Sequence, residues 1–279
     1  MRLAAQGFKS YKTMGQCFLT DANIPDKIVR MAALGDSDGV LEAGPGFGAL
    51  TLALSRVVNR VTAVELDERL LPSLREILSG VTNVDVIKGD ILKLDIAKLV
   101  NENMPGLTHH VCANLPYNIT TPLLALFINA GVFKTITVMI QKEVAERICA
   151  KPGSSEYGAF TVFVNYYSEP QILFTVPPEC FTPQPGVHSA VVTMKTRKER
   201  ILQPEDEPLF FRVVRAAFAQ RRKTLCNALY AAFGDTYKKE EIASIIGEAG
   251  FDAAVRGERL GVEEFAGLSL TIKKSGKTH

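Results

Sequence analysis

From Val40 onward the chain alternates short β-rich runs with amphipathic stretches, and this alternation limits the fold more than any other feature. Such a pattern reads as a mostly parallel sheet with crossover helices packed on its faces. Val40-Leu41, Val61 to Leu66, Val84 to Ile87, His110 to Ala113 and Thr135 to Ile140 read as the first five strands. Leu50 to Val58, Glu68 to Leu78, Thr121 to Ala130 and Lys142 to Cys149 read as helices. Ile172 to Val176 and Ala190 to Lys195 read as two further strands joined by a proline-rich loop, and Lys151 to Ser155 as a loop. Tyr157 to Tyr167 stays undecided, because its aromatic and β-branched residues satisfy helix or strand. Near Thr196 charges cluster, Pro204 and Pro208 appear, and the remainder reads as helices with glycine-containing turns. The expected organisation is an α/β domain over residues 1–196 and a small all-helical domain over residues 197–279.

Composition excludes several classes. The apolar fraction is 47%, ample for a packed core. No apolar run approaches the ~20 residues of a membrane span, and the polar, basic N-terminus lacks a signal-peptide stretch. The cysteines Cys17, Cys112, Cys149, Cys180 and Cys226 are scattered, odd in number and never paired as C-x-x-C. That favours a reducing cytoplasm over a disulfide frame or a zinc site. Adjacent His109 and His110 read as a solvated loop pair, so no metal is expected. With a net charge of only +2, any nucleic-acid contact must come from local patches.

A glycine turn, Glu42-Ala43-Gly44-Pro45-Gly46-Phe47-Gly48, joins the first strand to a helix. Its G-x-G-x-G spacing differs from the G-x-G-x-x-G of dinucleotide enzymes. Glu65, at the end of the second strand, stands roughly 20 residues after the glycines, where an acid can bind a ribose hydroxyl pair. Asp90, after the third strand, can accept from an adenine amine. Each acid alone could be a solvated strand-end charge; three signals at successive strand ends are harder to dismiss. They suit NAD or S-adenosylmethionine, both of which carry adenosine. Glu42 would repel a pyrophosphate but tolerate the cationic methionine end of S-adenosylmethionine. At the tip of the fourth strand, Asn114-Leu115-Pro116-Tyr117 offers an amide acceptor, fixed carbonyls and an aromatic ring. These parts suit a flat base bearing an exocyclic amine, and together with Glu42 they favour methyl transfer.

The ordered blocks Gly15-Gln16-Cys17-Phe18-Leu19, the Gly44 turn, Glu65, Asp90, Asn114 to Tyr117, Gln141-Lys142-Glu143-Val144, Phe181 to Ser189 and Gln220 to Thr224 resemble the ribosomal RNA adenine dimethyltransferase family. Within it the chain looks most like the bacterial small-subunit (16S) branch linked to kasugamycin sensitivity. That resemblance implies a Rossmann-like methyltransferase sheet with one antiparallel strand and a C-terminal all-helical domain. It also implies dimethylation of two adjacent adenosines in a hairpin loop near the 3′ end of 16S rRNA, within immature small subunits in the cytoplasm. No membrane and no obligate protein partner are expected. Cys17, Leu19, Gly44, Gly46, Glu65, Asp90 and Asn114 would line the S-adenosylmethionine site. The family usually carries His or Asn where this chain has Cys17, so Cys17 acts through its backbone or fills space as a small apolar residue.

For catalysis, the Asn114 side-chain oxygen and the Leu115 or Pro116 carbonyl are assigned to grip the amine. Tyr117 is expected to stack on the base, and Phe181 to close its other face. Arg2, Lys9 and Lys12 form a basic arm; Arg212, Arg215, Arg221, Arg222 and Lys223 form a second patch, of which Arg215, Arg221, Arg222 and Lys223 are the expected RNA contacts. On one continuous helix Arg221 falls on the apolar side, which suggests a break near Gln220. Rival readings are a large-subunit (23S) rRNA methylase of the macrolide-resistance type, an NAD dehydrogenase, and a non-catalytic ribosome-assembly factor built on this fold.

Overall fold

The computed structural model describes residues 17–276. The basic arm of Arg2, Lys9 and Lys12, and the Gly15-Gln16 start of the first family block, lie outside the described residues. In chain order the elements are β1 (Phe18–Leu19), α1 (Asn23–Met31), β2 (Asp38–Ala43), α2 (Ala49–Ser55), β3 (Arg60–Glu65), α3 (Leu71–Ile77), β4 (Val84–Lys88), α4 (Ile96–Asn103), β5 (Thr108–Asn114), α5 (Thr120–Ala130), β6 (Thr135–Gln141), α6 (Lys142–Ile148), α7 (Ala159–Tyr167), β7 (Ser168–Val176), β8 (Phe181–Thr182) and β9 (Ser189–Thr196). Four helices follow, α8 (Glu207–Ala219), α9 (Leu225–Phe233), α10 (Lys239–Glu248) and α11 (Val262–Lys274).

Seven strands form one sheet in the order β4-β3-β2-β5-β6-β9-β7. β2 pairs in parallel with β3 and β5, β3 with β4, and β5 with β6, whereas β9 runs antiparallel to β6. This is the expected α/β sheet with an antiparallel insertion. All six residues of β2 are buried, as a central parallel strand covered on both faces must be. Chain order reverses between β2 and β5, which makes the space beyond their carboxyl ends the switch point where such sheets bind ligands.

Two helices escaped the sequence reading. α1 contains Pro25, ordinarily a breaker, but it stands in the first turn, where no intrahelical partner for its N–H is required. α4 is opened by Asp95, whose carboxylate accepts from Lys98 N at 3.0 Å. The undecided segment is α7, a helix. The Gly158 N–H donates to Thr161 Oγ1 at its start, and Val162 and Tyr166 are buried in the second core. Burial of that face overrides a composition that locally favours a strand. The histidine pair is not a solvated loop: both residues lie in β5, and His110 is buried, with Nδ1 2.7 Å from Thr135 Oγ1 and Nε2 3.2 Å from Asp38.

The chain divides into two compact units. The first takes the described residues up to Ala145 together with Gln171–Thr196; the second takes Glu146–Pro170 together with the described residues from Arg197. Residues 146–170 thus group with the helices that follow Thr196. The reason is apolar: Tyr157, Val162 and Tyr166 share a core with Phe210, Val214 and Leu229. The core of the first unit includes Ile28, Val40, Leu54, Val61, Met139 and Val191.

Candidate active site

A cavity of 410 Å³ lies in the first unit at the carboxyl ends of β2, β3 and β5, a size suited to a small ligand. The glycine turn forms one wall. Gly44 and Gly46 have φ of +69° and +58°, left-handed values that glycine adopts without strain. Gly46 is also overlain by the Phe18 ring, 3.2 Å from where a Cβ would stand. The Glu65 carboxylate ties this turn to the end of β3, accepting from Gly46 N at 3.1 Å and from Asp67 N at 2.8 Å. Glu65 is buried, and that burial raises its pKa while the backbone donors lower it. Asp90 caps the short helical turn Ile91–Lys93, its Oδ1 accepting from Leu92 N at 3.1 Å.

Glu42 is the most unusual group. It is 1% exposed, lines the cavity, and its Oε2 has no hydrogen-bond partner among the described residues. Burial pushes its pKa up to about 8, and Glu65 adds in the same direction. Glu42, Glu65 and Asp90 all face the cavity, and among the described residues no Lys, Arg or His lines it. Such a lining disfavours a pyrophosphate and favours a cation.

The acceptor tetrapeptide sits on the same cavity. Asn114 Nδ2 donates to the Cys17 carbonyl at 3.3 Å. The Pro116 carbonyl accepts from Ile119 N at 3.3 Å and Thr120 Oγ1 at 3.1 Å. Tyr117 opens the short turn Tyr117–Ile119, and its hydroxyl lies 2.7 Å from Ser189 Oγ. Cys17, Leu19, Gly44, Gly46, Glu65, Asp90, Asn114, Leu115, Pro116 and Tyr117 thus share one lining. Phe181 is not brought there. Its ring is 3% exposed, packed in the core with Ile28, Val176 and Val191 because β8 pairs with β1 through Leu19 and Phe181. A stacking role for it is not supported.

Sequence reasoning passed over Leu66 and Leu92, large apolar residues exposed at 60% and 39% that both line the cavity. Their signal was position: each lies one or two residues past a strand-end acid. In the second unit α8 ends at Ala219 and α9 starts at Leu225, with Arg221, Arg222 and Lys223 between them, all exposed like Arg215. Arg221 is committed locally. One guanidinium nitrogen donates to the Ser155 and Tyr157 carbonyls at 2.7 and 3.1 Å and lies 3.6 Å from Glu258. Among the described residues no group of three metal-ligating side chains occurs, and no helix is long and apolar enough to cross a membrane.

An open sheet with β9 inserted antiparallel beside β6, and a carboxylate-lined cavity at its switch point, defines a class I methyltransferase. The particular family follows from comparison: residues 7–249 match the model of the ribosomal RNA adenine dimethylases, and the chain belongs to that family. It is 45% identical to a ribosomal RNA small subunit methyltransferase A from Geobacillus sp. (strain WCH70), over 97% of this chain and 94% of that protein. It is 44% identical to the protein of the same name from Streptococcus pneumoniae serotype 2 (strain D39 / NCTC 7466), over 98% and 96%. Among solved structures, a dimethyladenosine transferase from Plasmodium falciparum superposes with a TM-score of 0.81 at 26% identity, covering 93% of this chain and 98% of that one. The 23S rRNA methyltransferase ErmE superposes at 0.71 with 26% identity, covering 92% and 99%.

Proposed function

We infer that this chain dimethylates the exocyclic amine of adenine in small-subunit ribosomal RNA, with S-adenosylmethionine as methyl donor. The observation that carries the reading is the single cavity on which three carboxyl groups and the Asn114-Leu115-Pro116-Tyr117 tetrapeptide converge. Glu65 and Asp90 would hold the adenosine portion of the donor, Leu66 and Leu92 would cover its apolar faces, and Glu42 would meet its cationic end. Bound there, the donor supplies a methyl group made electrophilic by a sulfonium.

The chain's own residues position the amine. An exocyclic amine is a weak nucleophile because its lone pair is spread into the ring. Two oxygen acceptors gripping its hydrogens favour a tetrahedral nitrogen and free the pair. Asn114 Oδ1 is one, since its Nδ2 is turned to Cys17. The Leu115 carbonyl is the better second, because the Pro116 carbonyl already accepts two hydrogen bonds. Tyr117 stacks on the base, offsetting part of the few kcal/mol needed to unstack it. Catalysis is then positioning and electrostatics, and the methylated amine loses its proton to water.

We assign the substrate to two adjacent adenosines in a hairpin loop near the 3′ end of 16S rRNA, modified in immature small subunits in the cytoplasm. Five scattered cysteines with no C-x-x-C pair fit that reducing compartment. The test is transfer of tritiated methyl from labelled donor to immature small subunits, with the modified bases mapped. Label on naked 23S RNA instead would favour the macrolide-resistance type, and no label on either RNA would leave an assembly factor.

A further inference from the structure

Stacking on a base needs an aromatic face, and phenylalanine would present the same face as Tyr117. The tyrosine hydroxyl therefore calls for its own explanation. It lies 2.7 Å from Ser189 Oγ, across 72 residues of chain. Ser189 is 0% exposed. It is the first residue of β9 and is registered opposite Gln141 at the end of β6, so it belongs to the interior of the sheet. Tyr117 belongs to a short turn on the cavity wall. The backbone of that turn is already fixed by the two bonds to the Pro116 carbonyl. The freedom that remains is rotation of the ring, and the Ser189 bond removes it. Burial raises the pKa of the Tyr117 hydroxyl, with the Ser189 bond opposing, so the group serves as a neutral phenol in this bond and not as a base.

We propose that Ser189 is a positioning residue for methyl transfer: through the Tyr117 hydroxyl it locks the ring plane against which the target adenine lies. The proposal rests on the reading of the cavity as an adenine methylation site and adds a residue that touches neither the base nor the methyl donor. Affinity for RNA comes mainly from phosphate contacts, and donor affinity from the glycine turn and strand-end acids. A loosened ring should therefore lower the rate of the bound complex and little else.

The experiment is a double-variant cycle on the full chain, with immature small subunits as substrate and donor binding measured by calorimetry. Ser189→Ala and Tyr117→Phe each break the same bond. Each should lower kcat about five-fold, the usual weight of one neutral hydrogen bond, with KM for the subunit and donor Kd unchanged. The double variant should fall no further than either single one. Losses that multiply in the double variant overturn the proposal. So does a Tyr117→Phe protein with wild-type kcat, whatever Ser189→Ala does to stability, and that variant alone decides the matter if Ser189→Ala fails to fold. Wild-type activity in the same assay tests the parent reading: an inactive wild type removes both, whereas an active wild type with unaffected variants removes only the role of Ser189.

Discussion

The Asn114 amide nitrogen donates to the main-chain carbonyl of Cys17, 97 residues earlier in the chain. An amide that gives its N–H to a carbonyl turns its oxygen elsewhere, so this contact orients Asn114 and engages Cys17 through its main chain. Asn114→Asp places a carboxylate oxygen against that carbonyl and repels it. Both Asn114→Asp and Asn114→Ala should lower methyl transfer by at least about 100-fold, the order expected when one oriented polar group is lost from an active site. Donor binding should remain measurable. Cys17→Ala keeps the carbonyl and should retain activity within about three-fold, whereas a collapse of kcat in Cys17→Ala would show that the thiol matters.

Glu42 gives a pH signature. Its pKa is raised from 4.5 to about 8 by burial, with Glu65 reinforcing the shift. A pKa of about 8 keeps it mostly protonated at neutral pH; a cationic ligand would draw the proton off. Donor affinity should rise with pH through about pH 8 and proton release should accompany binding, which calorimetry in buffers of different ionisation enthalpy reads directly. Stability carries the opposite sign. A folded-state pKa above the unfolded value contributes stability that is complete below pH 4.5 and is lost as pH rises through 8. Glu42→Gln removes that loss. The variant should gain Tm over the wild type at about pH 9 relative to about pH 6 while binding donor more weakly at the higher pH. A pH-independent difference in Tm would place the titration elsewhere.

Phe181 separates a stability role from a catalytic one. Its ring is buried with Ile28, Val176 and Val191, on a strand that pairs with the segment carrying Leu19. Phe181→Ala should destabilise by about 3–5 kcal/mol, seen as an early thermal transition. Phe181→Leu keeps most of the volume and should preserve kcat within about two-fold at a permissive temperature. A large kcat loss in Phe181→Leu with an unchanged Tm would restore Phe181 to the base.

The legibility of this chain follows from where each signal is encoded. Strands such as β2 and β5 are buried on both faces, so their apolar runs survive in the sequence as unbroken blocks. The cavity residues are equally legible because an open sheet delivers consecutive strand ends to one place; hence Gly44, Glu65, Asp90 and Asn114 group together on sequence position alone. What stayed hidden depends on partners far away in sequence. Helix α7 exists because Tyr166 and Val162 find Phe210 and its neighbours. Phe181 reads as a loop aromatic available to the base until β1 pairs with its strand. Leu66 and Leu92 look like ordinary apolar residues until the cavity is seen between them.

Arg221 shows the same dependence, and it divides the basic patch. The sequence places Arg221, Arg222 and Lys223 together, and the break between α8 and α9 leaves all three exposed. Arg221 nevertheless holds the Ser155 and Tyr157 carbonyls and faces Glu258, so it clasps the 146–170 segment to the rest of the second unit. Arg221→Ala leaves two carbonyls without their charged donor and should destabilise by about 1–3 kcal/mol. Because that guanidinium is already engaged by two carbonyls and faces Glu258, the dependence of RNA binding on salt should hardly change. Arg222→Ala and Lys223→Ala should do the reverse. Each is expected to leave Tm within about a degree and to reduce the slope of log affinity against log salt by about one, the signature of one lost phosphate contact. Filter binding of small-subunit RNA across a salt series, alongside thermal melts, separates the two behaviours. An unchanged slope for both Arg222→Ala and Lys223→Ala would move the phosphate contacts to another surface, and a reduced slope for Arg221→Ala would show that the clasp opens when RNA binds.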